Sequence, residues 1–147
     1  MAAKKAPKNP VTPEHAAQFD DFMRKWQVMF NLADWRVMRS EKPAAKGNMA
    51  EMLDFSNEDR MVKYTLGRDW MTTPVTPVSL ESTAIHEMLH LRLHGLMHAV
   101  ADYGVDSEQA RQEEHAVIAV FEKLLLRLAL FLDAAEAPLV QHAETDI

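Results

Sequence analysis

The feature that most constrains this chain is a helical segment, residues 85–97, that is apolar on nearly every side. Its large apolar residues are Ile85, Met88, Leu89, Leu91, Leu93, Leu96 and Met97. A helix of this kind is stable only when other elements cover it, so we expect it to lie inside the fold. His86, Glu87 and His90 belong to the same segment. They need partners there, because burying polar groups unpaired is costly.

His86 and His90 are four residues apart, which on a helix places both imidazoles on one face, about 6 Å apart at the backbone. Two imidazoles so placed can bind one zinc ion from neighbouring turns. Glu87 lies one step round the helix, where its carboxylate can reach a water molecule at the metal without being a ligand. Zinc lowers the pKa of water and polarises a carbonyl oxygen. The spacing therefore predicts a zinc site in which Glu87 is the general base and returns a proton to the leaving amine.

A catalytic zinc site needs a third protein ligand and leaves its fourth position open. In one known arrangement this ligand is a histidine six residues after the second, but here that position is Leu96. Glu114 lies three, four and seven residues before members of an apolar stripe, so it should point with them toward the motif helix. The stripe comprises Val117, Ile118, Phe121, Leu124, Leu125 and Leu128. We predict Glu114 as the third ligand. Its neighbours Glu113 and His115 project about 100° to either side of Glu114 around the helix axis and are the alternatives.

His94 and His98 continue the four-residue spacing along the same segment. A helix drifts by about 40° per four residues, so we expect His94 to lie off the metal-binding face. Either residue could hydrogen-bond a ligand or stabilise a developing oxyanion. A fourth ligand from His94 or His115 would instead close the coordination sphere and indicate a structural zinc site.

The N-terminal part of the chain predicts one helix followed by three short strands. Thr12 and Pro13 have the pattern of an N-cap and a first helical residue, and the helix should end near Asn31. Alternating apolar residues separated by polar turns then favour extended structure. We predict an antiparallel meander of three strands, the first beginning at Trp35 and the others covering residues 49–55 and 61–66.

The C-terminal part predicts two longer helices. The first should begin at residues 76–79 and run to about His94, where Gly95 is expected to end or loosen it. A turn at residues 102–104 precedes the second, which Asp106 should cap. The expected architecture is therefore α+β, with an N-terminal helix, a small three-stranded antiparallel sheet, and the motif helix packed on a long C-terminal helix.

Length and composition limit the class of protein. A chain of 147 residues is expected to form one domain, which we place at residues 12–134, between a disordered arm at 1–11 and a polar tail at 135–147. The formal net charge of −6 argues against nucleic acid as a partner. No uncharged apolar run reaches the ~18 residues of a membrane span, and the absence of cysteine excludes thiolate zinc ligands. Because the sequence has no signal-peptide pattern, we expect a cytoplasmic protein.

Several of these segments together resemble a known family. The His-Glu-Met-Leu-His helix within Thr83–Leu93 and the Glu-Glu-His-Ala-Val-Ile segment within Glu113–Phe121 carry the resemblance, which is to the phage metallopeptidase family. That family is similar to minimal gluzincins, which are zincins with a His-Glu-x-x-His motif, and more remotely to SprT-like proteases. The resemblance covers roughly residues 13–132. It implies a zincin-like fold, zinc bound by both motif histidines and a glutamate, a catalytic Glu87, and hydrolysis of peptide bonds.

Two main hypotheses of function follow. The first is a small zinc-dependent peptidase acting on a peptide or protein substrate, with an edge strand aligning an extended peptide, as the resemblance implies. The second is a non-catalytic binding or regulatory protein on a metallopeptidase scaffold, with a structural zinc. Glu87 favours the first, since a structural site does not need a carboxylate beside the water. Hydrolysis of a non-peptide amide is a third hypothesis, which the sequence does not separate from peptide cleavage.

Overall fold

The structure, a computed structural model, describes residues 8–102, 104 and 107–136. It is an α+β arrangement of three helices and one small sheet, as predicted. In chain order the elements are α1 (Pro13–Met29), β1 (Arg36–Arg39), β2 (Ala50–Ser56), β3 (Met61–Leu66), α2 (Pro77–Asp102) and α3 (Ser107–Glu136). Both α1 and α3 pack against α2, and β2 packs against it as well. The central position of α2 follows from its apolar surface, which needs neighbours on several sides.

The first helix begins where the sequence predicts. The Thr12 hydroxyl accepts a hydrogen bond from the backbone N–H of His15, and the Thr12 N–H donates to His15 Nδ1, which completes a capping box. The helix ends at Met29, close to the predicted end. Its inner face buries Phe19, Met23 and Trp26. This packing fixes one side of α2.

The sheet has three strands as predicted, but the prediction of an antiparallel meander is wrong. The strand order is β1-β3-β2, in which β2 is antiparallel to β3 and β1 is parallel to it. The chain between β1 and β2 runs on beside β3, where the N–H groups of Ser40 and Ala44 donate to the carbonyls of Tyr64 and Leu66. Because β3 pairs with both strands, it is central, and β2 becomes an edge strand facing α2.

The second helix is longer than predicted. It continues through Gly95 to Asp102 instead of ending near His94. Its second half is less buried than expected, since the buried residues end at Leu91 and Leu96 is 61 % exposed. A glycine inside a helix costs only about 0.5–1 kcal/mol relative to alanine, which is too little to stop a helix whose neighbouring residues favour it. The predicted turn is present at Gly104, which has a φ of 71°. The predicted N-cap Asp106 lies outside the described residues.

The apolar stripe predicted for α3 is wrong for most of its members. Ile118 is fully buried and Leu125 is partly buried, but Val117, Phe121, Leu124 and Leu128 are exposed. The face that packs on α2 is a neighbouring one, whose inward residues are Glu114, Ile118, Glu122, Leu125 and Ala129. The helix has more than one apolar face, and periodicity alone does not tell which one meets the rest of the domain.

The segment before α1 is attached to the domain. Pro10 and Asp69 form an isolated β-bridge, the Val11 N–H donates to the Arg68 carbonyl, and the Trp70 N–H donates to the Asn9 carbonyl. Of the predicted disordered arm at 1–11, residues 1–7 lie outside the described part of the chain, as do residues 137–147 of the predicted polar tail. Within the described residues, no helix is both long and apolar enough to cross a membrane.

Candidate metal centre

The two motif histidines line a cleft of about 760 Å³ between the edge strand β2 and the helices α2 and α3. The strand side is formed by residues 47–52 and Phe55. The helix sides are formed mainly by polar residues, among them His86, Glu87, His90, Glu114, His115 and Glu122. Buried Ile85, Met88 and Leu89 fix the first half of α2 in the core. The register of α2 therefore sets which of its polar side chains face the cleft.

The imidazoles of His86 and His90 face each other through their Nε2 atoms, which are 3.2 Å apart. Their other ring nitrogens contact carboxylates. His86 Nδ1 lies 3.1 Å from Glu122 Oε2, and His90 Nδ1 lies 3.3 Å from Glu114 Oε1. An ionised carboxylate only accepts hydrogen bonds, so each Nδ1 carries the proton and donates it. Each neutral ring then presents the lone pair of its Nε2 atom to the other ring.

This arrangement of lone pairs fits a metal ion. Two lone pairs at 3.2 Å repel each other unless a proton or a cation lies between them. Two nitrogens bound tetrahedrally to one zinc ion at ~2.0–2.1 Å would stand about 3.3 Å apart, close to the observed separation. In metal-bound proteins the second ring nitrogen usually donates to a carboxylate or carbonyl, which orients the ring. The donor atoms and the spacing of His86 and His90 are therefore compatible with two of the ligands of a zinc ion.

A third imidazole lies beside this pair. One ligand atom each from His86, His90 and His115 can be chosen so that all three lie within 4.8 Å of one another. The His115 ring centroid is 4.8 Å from that of His90 and 5.8 Å from that of His86. Predicted third ligand Glu114 lines the same cleft, but its carboxylate contacts Nδ1 of His90. His115 and Glu114 thus both lie close enough to the histidine pair to be the third metal ligand. The assignment of Glu114 as that ligand stays a prediction. The other alternative, Glu113, is exposed and is absent from the described lining of the cleft.

Glu87 lies in the same cleft, between the motif helix and the edge strand. Its side chain is only 6 % exposed, and it accepts a hydrogen bond from the backbone of Met52 in β2. In the metal-free protein, burial raises the pKa of Glu87 to about 7, although the nearby His86 and the Met52 hydrogen bond oppose the rise. A carboxyl group with such a pKa can both take up and release a proton near neutral pH.

The pKa values of the two histidines shift in opposite directions in the metal-free protein. The hydrogen bond to Glu122 raises the pKa of His86, and this outweighs burial. Burial lowers the pKa of His90, although the hydrogen bond to Glu114 opposes it. Of the two rings, His86 is therefore the easier to protonate and His90 the harder. A neutral imidazole is the form that binds zinc.

Glu122 is the site residue that our sequence analysis missed. Its Oε2 contacts His86, and its Oε1 accepts a hydrogen bond from the hydroxyl of Ser82. Burial raises the pKa of Glu122, but the hydrogen bonds from His86 and Ser82 outweigh it and lower the pKa overall. The sequence signal was the four-residue spacing of Glu114, Ile118 and Glu122. It places one carboxylate a turn before and one a turn after a buried residue, on the same face of the helix.

The two remaining histidines of α2 lie away from the cluster. His94 lines the far end of the cleft, where its ring stacks on Phe55 with centroids 4.1 Å apart and meets the edge of Trp35 at 6.3 Å. Burial lowers the pKa of His94. His98 is exposed and pairs with Asp102 at 3.3 Å. Neither belongs to the histidine cluster found among the described residues, in agreement with the expected drift of the helix away from the metal face.

Comparison of this chain with protein-family models, with curated proteins and with solved structures finds no match. The functional argument therefore rests on the site itself.

Proposed function

We propose that this chain is a zinc-dependent metallopeptidase with a zincin-like domain. The observation that carries the proposal is the pair of Nε2 atoms of His86 and His90, which face each other at 3.2 Å while both Nδ1 atoms contact carboxylates. Buried Glu87 lies in the same cleft, next to the motif histidines. A metal-binding pair, the third-ligand candidates Glu114 and His115 beside it, and an adjacent buried carboxylate together supply the groups that metal-assisted hydrolysis needs.

Each residue has a defined role in the proposed reaction. When bound, zinc would polarise the carbonyl of the scissile bond and make water a better nucleophile. Glu87 takes the proton of the attacking water and passes it to the nitrogen of the leaving amine, so that the C–N bond breaks as the new C–O bond is completed. His86, His90 and Glu114 would hold the metal, with His115 as the alternative to Glu114, and Glu122 keeps the His86 ring in the tautomer that binds it.

The edge strand supports a peptide as the substrate. Among the described strands, β2 pairs only with β3, and its residues 50–52 and Phe55 line the cleft together with the preceding residues 47–49. An extended peptide can add to such an edge by backbone hydrogen bonds, which depend little on its sequence. A substrate bound in this way would lie alongside Glu87, which already accepts a hydrogen bond from the Met52 backbone.

The test is cleavage of an unstructured protein such as casein by wild type and by Glu87→Gln at equal zinc content. Glutamine has nearly the shape of glutamate but cannot accept the proton, so activity should fall by about 10²–10⁴-fold while zinc and fold are kept. Glu113→Gln, on the exposed side of α3, is the matched control and should keep wild-type activity. Equal activity of wild type and Glu87→Gln would remove Glu87 from the mechanism.

One observation favours the non-catalytic alternative. His115 and Glu114 both lie at the histidine pair, so both could bind the metal and fill its coordination sphere. A closed sphere of four protein ligands is typical of structural zinc. X-ray absorption spectroscopy of the zinc protein distinguishes the two functions. A light-atom ligand that a chloride or hydroxamate probe displaces supports the enzyme, whereas four protein ligands that no probe displaces support a binding protein.

A further inference from the structure

The outer face of α3 is apolar and has no partner among the described residues. Along it, Val117, Phe121, Leu124, Leu128 and Phe131 are 43 %, 49 %, 56 %, 50 % and 70 % exposed. Their spacing of four, three, four and three residues averages 3.5, which is the repeat of a coiled-coil seam. We call these five residues the outer seam. Helical geometry places its centre about 100° round the helix from Ile118, the centre of the face that packs on α2.

The exposed area matches that of a protein interface. Val120 and Leu132 flank the outer seam, each about 60° from its centre, and are also about half exposed. Apolar side chains of this size carry roughly 150–200 Å² each, so together these seven residues present on the order of 650 Å². Monomeric proteins rarely expose apolar patches of more than roughly 300–600 Å². A standard interface buries about 800 Å² on each partner.

We propose that the outer seam is a dimer interface and that its partner is the same seam of a second copy of this chain. In coiled-coil packing, each seam residue inserts between four residues of the facing helix, so a seam with a 3.5-residue repeat requires a helix with the same repeat opposite it. A second copy supplies that helix through a two-fold axis, which is the commonest symmetry of oligomers. The C-terminal residues 137–147 contain only three large apolar residues, Leu139, Val140 and Ile147, which are too few to cover the seam.

Dimerisation through this face leaves the metal centre accessible. His115 and Glu122 project to the opposite flank of the buried face, roughly 150° round the helix from the centre of the seam. The proposal therefore stands independently of the proposed zinc chemistry. Zinc content also becomes a measure of correct folding in interface variants.

The test is the molar mass of the full chain, measured by light scattering and by sedimentation at micromolar concentration. Wild type should have twice the chain mass of 16.7 kDa. The double variant Leu124→Glu/Leu128→Glu places two charges in the seam and should raise the dimer dissociation constant by about 100-fold or more. It should keep wild-type helix content, because both residues face solvent in the single chain. The matched control Lys123→Glu changes an exposed neighbour outside the seam and should stay dimeric.

A crosslinking experiment tests the same interface without charge. The chain has no cysteine, so Leu124→Cys introduces a single thiol in the middle of the seam, near the two-fold axis for either relative direction of the helices. Oxidation should give a disulfide-linked dimer, whereas the exposed control Glu58→Cys in the β2–β3 turn should not. A monomeric wild type would overturn the proposal. The seam would then have a different partner, such as another protein, a lipid vesicle or the chain's own C-terminal residues. A dimer that survives in Leu124→Glu/Leu128→Glu would overturn the proposal as well.

Discussion

The Nδ1 atom of His86 lies 3.1 Å from Oε2 of Glu122, a residue 36 positions further along the chain. The other oxygen of the same carboxylate accepts a hydrogen bond from Ser82, one turn before His86 on α2. One side chain of α3 thus orients the first histidine of the motif and joins the two helices at the site. Carboxylates in this position both orient a ligand and raise its basicity.

The first prediction concerns this contact. Glu122→Ala should weaken zinc binding by about 10–100-fold, because the His86 ring loses the partner that fixes its tautomer and orientation. Competition with a chromophoric chelator measures the affinity. Glu113→Ala removes an exposed carboxylate from the same helix and serves as the control. Equal affinity of the Glu122→Ala variant and wild type would mean that the contact does not support the metal site.

The second prediction is that this pair makes the metal-free protein most stable in a limited pH range. Glu122 has a lowered pKa, so its contribution is present above the ordinary value of 4.5 and is lost as pH falls through the folded pKa. His86 has a raised pKa, so its contribution is complete below 6.5 and is lost as pH rises through the folded value. Urea unfolding in the presence of chelator should show the largest difference between wild type and Glu122→Gln between these limits. A difference that does not vary with pH would contradict the assignment.

The third prediction identifies the remaining zinc ligand. His86→Ala should retain little zinc on purification, as elemental analysis would show. Glu114→Gln and His115→Ala should both weaken binding, and the larger loss marks the residue that binds the metal directly. We expect at least about 10-fold for Glu114→Gln, the scale of damage to the ligand shell. If Glu113→Gln has the largest effect instead, α3 turns a different face toward the motif histidines, and Glu114 is not the ligand.

The fourth prediction is that zinc stabilises the fold. His86, His90 and Glu114 are partly or largely buried where α2 meets α3, and a metal that binds only the folded protein stabilises it by mass action. Thermal melts should therefore shift to lower temperature on addition of chelator. His86→Ala is the control, since its melting temperature should not respond to chelator. Unchanged melting of zinc-loaded wild type would show that the metal is weakly held or is bound elsewhere.

The fifth prediction tests the packing of α1 on the motif helix. Buried Glu81 accepts hydrogen bonds from Trp26 Nε1 at 3.1 Å and from Lys25 Nζ at 2.8 Å. Glu81→Leu leaves the indole N–H buried without an acceptor, which should cost about 1–3 kcal/mol of unfolding free energy. Urea denaturation measures this. As the control, Glu41→Leu changes an exposed position and should stay within about 0.5 kcal/mol of wild type. An equally small effect of Glu81→Leu would mean that the hydrogen bond from Trp26 to Glu81 does not contribute to stability.

The sequence by itself determined the features that depend on neighbouring residues. The spacing of His86 and His90 places them on the same face of any helix, without information from elsewhere in the chain. The capping box at Thr12 and His15 is equally local. The apolar surface of the segment 85–97 was enough to predict the burial of Ile85, Met88, Leu89 and Leu91, because such a surface is unstable in water. The expected burial of the whole segment is wrong for Leu96, which is 61 % exposed.

Only the tertiary structure decided which distant residues meet. The pairing of β1 with β3 joins segments about 25 residues apart, and strands of similar composition can pair in more than one order. The contacts of Glu114, His115 and Glu122 with the motif histidines depend on how α3 is rotated against α2. That rotation could not be predicted from the sequence of α3, because this helix has two apolar faces, one with Ile118 and one with Leu124. Local periodicity shows that a face is apolar, but the choice of the face that is buried depends on its fit to the rest of the core.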